Sequence, residues 1–290
     1  MEEIKIGIIG GSGLYRMGAL EEIQEADIAT PFGEPSDKYI IGRLEGKPVA
    51  FLPRHGRGHV HLPSEINYQA NIWGFKKLGV EWIIAVSAVG SLNEELAPMD
   101  IVLPDQFFDR TNQGRKGTFF GDGIAAHIPF ADPTCRELRE IIYRVTGELG
   151  VTVHNGGAYL NMEGPAFSTR AESNVYRRWG MDIIGMTNMT EARLAREAEI
   201  SYQTVAMVTD YDCWRSGEGF EDVSVTSVQE TFGKNIETAR KIIKATVAAI
   251  PDRHDCPCSH ALEGAIMTAP EAITPAVSQK MELLIGKYVK

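Results

Sequence analysis

Residues able to do chemistry gather in a few short segments. The run Pro53-Arg54-His55-Gly56-Arg57-Gly58-His59-Val60-His61 sets two arginines and three histidines among glycines. A guanidinium is a planar fork that matches phosphate oxygens. A histidine can donate to an oxyanion or move a proton near neutral pH. As metal ligands, His55, His59 and His61 lack neighbouring carboxylates or thiolates, and the arginines would repel a cation. Anion binding is the better reading. Gly10-Gly11-Ser12-Gly13 can aim backbone N–H groups and a hydroxyl at the same kind of ligand. It is not a dinucleotide fingerprint, because Arg16 stands at the third glycine position, and the chain has no Walker A loop. Ser87-Ala88-Val89-Gly90-Ser91 offers small residues that let a ligand approach backbone donors. Ala85 and Val86 before it exclude the G-x-S-x-G frame of a serine nucleophile.

Acidic groups form a second set. Asp210 and Asp212 stand one residue apart after an apolar run, so strand alternation turns them in similar directions. Glycosidase carboxylates flank the scissile bond from two sides. Two acids on one loop suit a donor-rich ring, or proton delivery to it. In the segment 162–170, Glu163 could hold sugar hydroxyls and Phe167 could cover a flat ring. By itself that segment reads as a helix-entry loop with a core phenylalanine. His254-Asp255-Cys256-Pro257-Cys258-Ser259-His260 could bind a metal, form a redox pair or do neither. One Cys-x-Cys with no second pair is a poor zinc signature, so no metal is expected. Asn188-Met189-Thr190 matches a glycosylation acceptor by chance.

These segments need elements to position them. Residues 4–9, 82–86, 159–162, 182–186 and 205–209 read as strands, each running into a polar or glycine-containing loop. Residues 39–44 and 49–52 read as a hairpin with 45–48 as its turn. Helical patterns cover 67–78, the stripe Leu138, Ile141, Ile142, Val145 and Leu149, and the stripe Phe232, Ile236, Ala239, Ile243, Val247 and Ile250. Thr134 with Glu137, Thr169 with Glu172 and Thr226 with Gln229 have the spacing of capping boxes. Strands alternating with helices mean an α/β fold with at least partly parallel strands, whose sites lie at strand ends. Ser12, Ser87, Thr187 and Asp210 all fall at expected strand ends.

Composition narrows the partners. The chain of 290 residues carries 29 Lys and Arg against 39 Asp and Glu, a net charge of −10. That disfavours nucleic acid, whose backbone selects basic surfaces. The longest apolar run, 82–86, is five residues. A bilayer span takes about 20, so no membrane partner is expected. Met1-Glu2-Glu3-Ile4-Lys5 lacks the basic stretch of a secretory leader, which favours the cytoplasm. Four cysteines do not make a disulfide framework. No linker divides the first 250 residues, so one domain is preferred to two.

Seven ordered segments together resemble the trimeric purine nucleoside phosphorylase family, in its branch for methylthio-nucleosides. They are IGIIGGSGLY (6–15), PRHGRGH (53–59), NYQANIW (67–73), SAVGSL (87–92), EGPAFSTRAE (163–172), IIGMTNMTEA (183–192) and VTDYDCW (208–214). The resemblance implies a single α/β domain over 1–250, with a central mixed, twisted sheet flanked by helices, and a C-terminal tail over 251–290 without an assigned counterpart. It implies phosphorolysis of 5′-methylthioadenosine to adenine and 5-methylthioribose 1-phosphate. Phosphate is then a co-substrate, and no metal or organic cofactor is needed. By carry-over, Ser12, Arg54, His55, Ser87, Ala88 and Thr187 hold phosphate. Met186 lies against the ribose, Phe167 and Ser168 near the base, and Asp210 and Asp212 face the purine, with Asp210 as the acid. Val225 and Val228 line a pocket for the methylthio group, and His127 reaches that pocket from a neighbouring subunit of a trimer or hexamer. Ser12 and Ser87 replace a common threonine and keep its hydroxyl. The stretch before Glu191 lacks a proline often found there, which bears on base preference. The alternatives are a 6-oxopurine or methylthioinosine phosphorylase, whose relatives carry asparagine where Asp210 stands, a nucleoside-binding regulator without turnover, and a metal hydrolase on the histidine loop.

Overall fold

Short, wholly buried strands build the frame. The computed structural model describes residues 3–11, 14, 18–112, 114–215 and 224–289, without the side chains of 225, 227–230, 232 and 234. The strands are β1 (Ile6–Gly10), β2 (Glu21–Ala26), β3 (Tyr39–Leu44), β4 (Lys47–Pro53), β5 (Trp82–Ser91), β6 (Ile101–Leu103), β7 (Gln106–Arg110), β8 (Val153–Asn155), β9 (Ala158–Met162), β10 (Ile183–Gly185) and β11 (Ser201–Asp210). The helices are α1 (Tyr68–Lys77), α2 (Arg136–Glu148), α3 (Arg170–Arg178), α4 (Asn188–Glu197), α5 (Val225–Ala249) and α6 (Pro275–Ile285). One mixed sheet runs β2-β3-β4-β1-β5-β10-β9-β7, with β11 on β5 and β6 and with β8 on β6. No described helix is long and apolar enough to cross a membrane.

Alternation on β5 divides the core. Ile83 and Ala85 join the cluster that includes Tyr39, Phe75, Leu194 and Leu284, from β3, α1, α4 and α6. Trp82, Ile84 and Val86 join the opposite cluster with Ile142, Ile243 and Val247, from α2 and α5. Residues that alternate between two apolar layers give the unbroken hydrophobic run of a strand buried on both faces.

The same strand creates the opening for a site. Along one edge β5 pairs with β11 from Trp82 to Gly90. On the other it pairs with β1 at residues 82–85 and with β10 only at Gly90 and Ser91. Among the described residues, 86–89 therefore have no strand on that edge, because β1 has already ended at Gly10. In this gap Val86 O accepts from the Arg54 side chain, which follows β4, at 2.9 Å.

Several local expectations change. β5 does not stop at residue 86 but runs to Ser91, so Ser87 and Ala88 lie inside a strand. Small residues hid the continuation. The hairpin turn is only Glu45-Gly46, since Lys47 and Pro48 already pair with Leu44 and Arg43. Thr134 does not cap α2; Cys135 is the N-cap, without a side-chain bond, and its N–H donates to Tyr202 O at 2.9 Å. That tie to β11 overrides the local capping pattern. Thr226 lies inside α5 rather than ahead of it. Thr169 and Glu172 do form a capping box, closing α3.

The last 40 residues are integral to the core. Leu262, Met281, Leu284 and Ile285 are buried in the layer formed by α1 and α4. Buried Glu199 accepts from Leu262 N at 3.0 Å and Tyr288 Oη at 2.5 Å. Hydrophobic burial and a buried acceptor thus hold the segment expected to be a tail.

Candidate active site

Arg54 leaves β4 beside the end of β1, and its N–H donates to Gly10 O at 3.0 Å. Its side chain is buried against α4. Nε and Nη2 donate to the two carboxylate oxygens of Glu191, and Nη1 donates to Val86 O at 2.9 Å in the gap on β5. Burial works against the charge, but the Glu191 carboxylate more than offsets it and raises the guanidinium above its ordinary value. Tyr202 Oη also donates to Glu191, at 2.8 Å. Three of the five guanidinium N–H groups are used this way, which leaves one on each Nη for a ligand.

His55 follows directly. Its Nδ1 donates to His61 O at 2.8 Å, and its ring stacks on His59 with centroids 4.0 Å apart. Burial lowers its pKa to about 4, so the ring is neutral at neutral pH. With the proton on Nδ1, Nε2 is an acceptor. Thr187 is the N-cap of α4 and is buried, yet its side chain does not cap the helix. In the first turn of α4, Met189 N already donates to Asn161 Oδ1 at 3.0 Å, and the helix dipole favours an anion at this end. Tyr159 Oη meets Asn188 Oδ1 at 2.9 Å and also lies against the Ser87 hydroxyl and the Thr187 backbone. Gly185 permits this, since a Cβ there would come within 1.9 Å of Tyr159 Oη.

Four residues further along β5, about 13 Å at a strand's rise, stand the acids. A register shift between Val208 and Asp210 puts Thr209 at a bulge, a device that re-aims the following side chain. A Cβ on Gly90 would sit 3.0 Å from Asp210 Oδ1 and 3.4 Å from Asp212 Cβ, so a side chain there would press on both acids. Asp212 N donates to Asp210 Oδ1 at 2.8 Å. Burial raises both carboxyls above the usual range; for Asp212, the Ser168 hydroxyl opposes it. Thr209 Oγ1 lies 2.7 Å from Asp210 Oδ2 and 3.1 Å from Val89 O. One hydroxyl proton cannot serve two acceptors. A proton on Asp210 Oδ2 satisfies both contacts, with Thr209 donating to Val89 and accepting from Asp210.

The structure brings Arg54, His55, Ser87, Ala88 and Thr187 to one end of the gap on β5, and Asp210 and Asp212 to the other. Met186 precedes Thr187, and its sulfur packs on the 163–165 turn, where a Cβ on Gly164 would be 2.5 Å away. Phe167 is 37% exposed beside the half-buried Ser168. Glu163 does not stand open to a sugar. Arg115 Nε donates to its Oε1 at 2.7 Å and Asn112 N to its Oε2 at 2.7 Å. Arg115 also donates to the carbonyls of Glu163 and Met186, so it pins the loop behind the site. His127 is exposed on a loop tied to Ala265 and belongs to neither end in this chain. Ser12 and the side chains of Val225 and Val228 lie outside the described residues. Asn188 and Thr190 of the chance acceptor are buried in α4. Sequence reasoning missed Glu191, Tyr202, Tyr159 and Arg115. Glu191 stood inside a quoted segment, but its partner is 137 residues away.

The phosphorylase superfamily matches residues 5–248. The chain is 54% identical to the S-methyl-5′-thioadenosine phosphorylase of Geobacter sulfurreducens over 289 residues, covering 100% of both. It is 54% identical to that of Koribacter versatilis over 286 residues, covering 99% of this chain and 97% of that one. The alignments therefore include the segment after Pro251 that the family resemblance had left without a counterpart. A methylthioadenosine phosphorylase from an antarctic soil metagenomic library superposes with a TM-score of 0.92 at 47% identity, over 98% of this chain and 99% of that one. The Schistosoma mansoni enzyme in complex with adenine superposes at 0.82 and 36% identity, over 98% of each. The chain belongs to the phosphorylase superfamily and, within it, to the S-methyl-5′-thioadenosine phosphorylases.

Proposed function

We propose that the chain cleaves S-methyl-5′-thioadenosine with inorganic phosphate, giving adenine and 5-methylthioribose 1-phosphate. The observation that carries this reading is the gap on β5, with anion donors at one end and the half-buried Asp210 and buried Asp212 at the other. Phosphate binds Arg54, the neutral His55, Ser12, Ser87, Ala88 and Thr187. His55 Nε2 accepts a hydrogen bond from hydrogenphosphate and orients it. The C1′–N9 bond breaks as a phosphate oxygen bonds to C1′, and the ribose lies against Met186. Phe167 and Ser168 border the base, and Val225 and Val228 line the methylthio pocket.

Asp210 supplies the proton that makes adenine a neutral leaving group at N7. Its burial raises the carboxyl above its ordinary value and so favours the protonated form. As that proton leaves, the Thr209 hydroxyl turns from Val89 O to Asp210 Oδ2 and holds the new carboxylate. Asp212 orients Asp210 through its N–H. Positioned phosphate and one acid suffice for this step, so the reaction takes no metal or organic cofactor. The enzyme works as a cytoplasmic homotrimer in which His127 closes the neighbour's methylthio pocket. Parallel assays with methylthioadenosine and methylthioinosine, both with saturating phosphate, test the substrate. Preference for the 6-amino nucleoside supports the reading, and preference for the 6-oxo nucleoside overturns it. Sedimentation that finds an active monomer would remove the trimer.

A further inference from the structure

Three cysteines far apart in sequence meet away from the site. Cys135 precedes α2, and Cys256 and Cys258 flank Pro257 at the short turn after α5. All three are buried, at 1%, 5% and 5% exposure. Their sulfurs lie within 4.8 Å of one another. Cys135 Sγ is 3.8 Å from Cys256 Sγ, and no disulfide joins any of them. His254 Nε2 is 3.7 Å from Cys256 Sγ. Ser201 Oγ, at the start of β11, is 2.9 Å from both His254 Nε2 and Cys256 Sγ. Trp82 packs edge-on against the His254 ring, with centroids 4.7 Å apart.

A tetrahedral ion with metal–sulfur bonds of about 2.3 Å has sulfur–sulfur edges near 3.8 Å and sulfur–nitrogen edges near 3.6 Å. The Cys135–Cys256 separation matches the first edge; His254 Nε2 is at the second from Cys256 but stands outside the three-sulfur cluster, so it must turn to reach an ion there. We propose that Cys135, Cys256 and Cys258 bind one thiophilic divalent cation of the zinc type, with His254 as the fourth ligand. Binding releases three thiol protons, forms three metal–sulfur bonds and one metal–nitrogen bond, and changes no oxidation state. His254 turns from Ser201 to the ion, and the Ser201 hydroxyl then donates to Cys256 Sγ as an outer partner. The ion would staple the entry of α2, the first residue of β11 and the chain after α5. Asp210 lies nine residues along β11, about 30 Å away, so the ion serves structure rather than the reaction. The sequence hid this because Cys135 stands 121 residues before its partner.

The test uses the full-length protein, purified under reducing conditions without chelator. Elemental analysis should find one zinc per chain. Cobalt(II) added to the metal-free protein should give thiolate-to-metal charge-transfer absorption with a tetrahedral visible spectrum. That absorption should fall by about a third in Cys135→Ser, and His254→Ala should weaken zinc at least 10-fold against a chromophoric chelator. The wild-type cobalt spectrum keeps the test valid if a variant does not fold. No charge-transfer band in folded, fully reduced wild type overturns the proposal. So does a disulfide between two of these sulfurs that forms in the presence of zinc.

Discussion

Glu191 spends both carboxylate oxygens on Arg54, and it does so from the first turn of the helix whose N-terminus faces the same opening. The arginine is therefore fixed before any ligand arrives, and rotamer entropy is not lost on binding. Removing one partner of a buried pair leaves an uncompensated charge, at about 3–5 kcal/mol. Glu191→Ala should lower stability by that order in denaturant titration. Arg54→Ala should raise the KM for phosphate far more than the KM for nucleoside. Equal rises in both would remove Arg54 from the anion end.

Asp210 should set both rate and base preference. The protonated acid can donate to N7 with one oxygen and accept from the 6-amino group with the other. A 6-oxopurine would put an acceptor against that second oxygen, which disfavours it. Asp210→Asn should lose about 10²–10⁴-fold in kcat/KM on methylthioadenosine and gain relative activity on methylthioinosine. Burial raises the carboxyl, and the protonated form is the active one. Wild-type activity should therefore fall as pH rises through that raised value, and the variant should lack this limb. Retained rate and preference would shift the role to Asp212.

Glu197 gives a stability signature. It accepts from Thr118 Oγ1 at 2.7 Å and Phe119 N at 2.6 Å, and burial raises its pKa from 4.5 to about 7. A raised carboxyl favours the fold in its neutral form. Its contribution is full below pH 4.5 and is lost as pH rises through 7, with a ceiling of roughly 3 kcal/mol. Glu197→Gln, which mimics the neutral form, should flatten the pH dependence of Tm between 4.5 and 7. An unchanged slope would contradict the assignment.

The last helix should matter to stability. Leu284 and Ile285 are 3% and 0% exposed against the α1 and α4 layer. Leu284→Ala and Ile285→Ala should each cost about 2–5 kcal/mol in chemical denaturation. Losses below half a kcal/mol would show that the segment is dispensable.

Legibility in the sequence followed the range of the interactions. The residues at the ends of β4 and β11 were readable because apolar runs stop there and polar groups begin. Ser87 and Ala88 were found as ligand-facing, but their place inside β5 was not, since small residues carry no clear period. Glu191 and Arg115 were not picked out, because their partners come from other strands and helices. Thr134 was misread because a local capping pattern lost to the bond between Cys135 and Tyr202. The cysteine cluster needed the third dimension altogether.

The most direct measurement follows methylthioadenosine cleavage by chromatography in phosphate-free buffer and again with added phosphate. The account predicts adenine and 5-methylthioribose 1-phosphate in equal amounts with phosphate, and no turnover without it. Adenine released at the same rate in both buffers, with unphosphorylated methylthioribose as the sugar product, would contradict it.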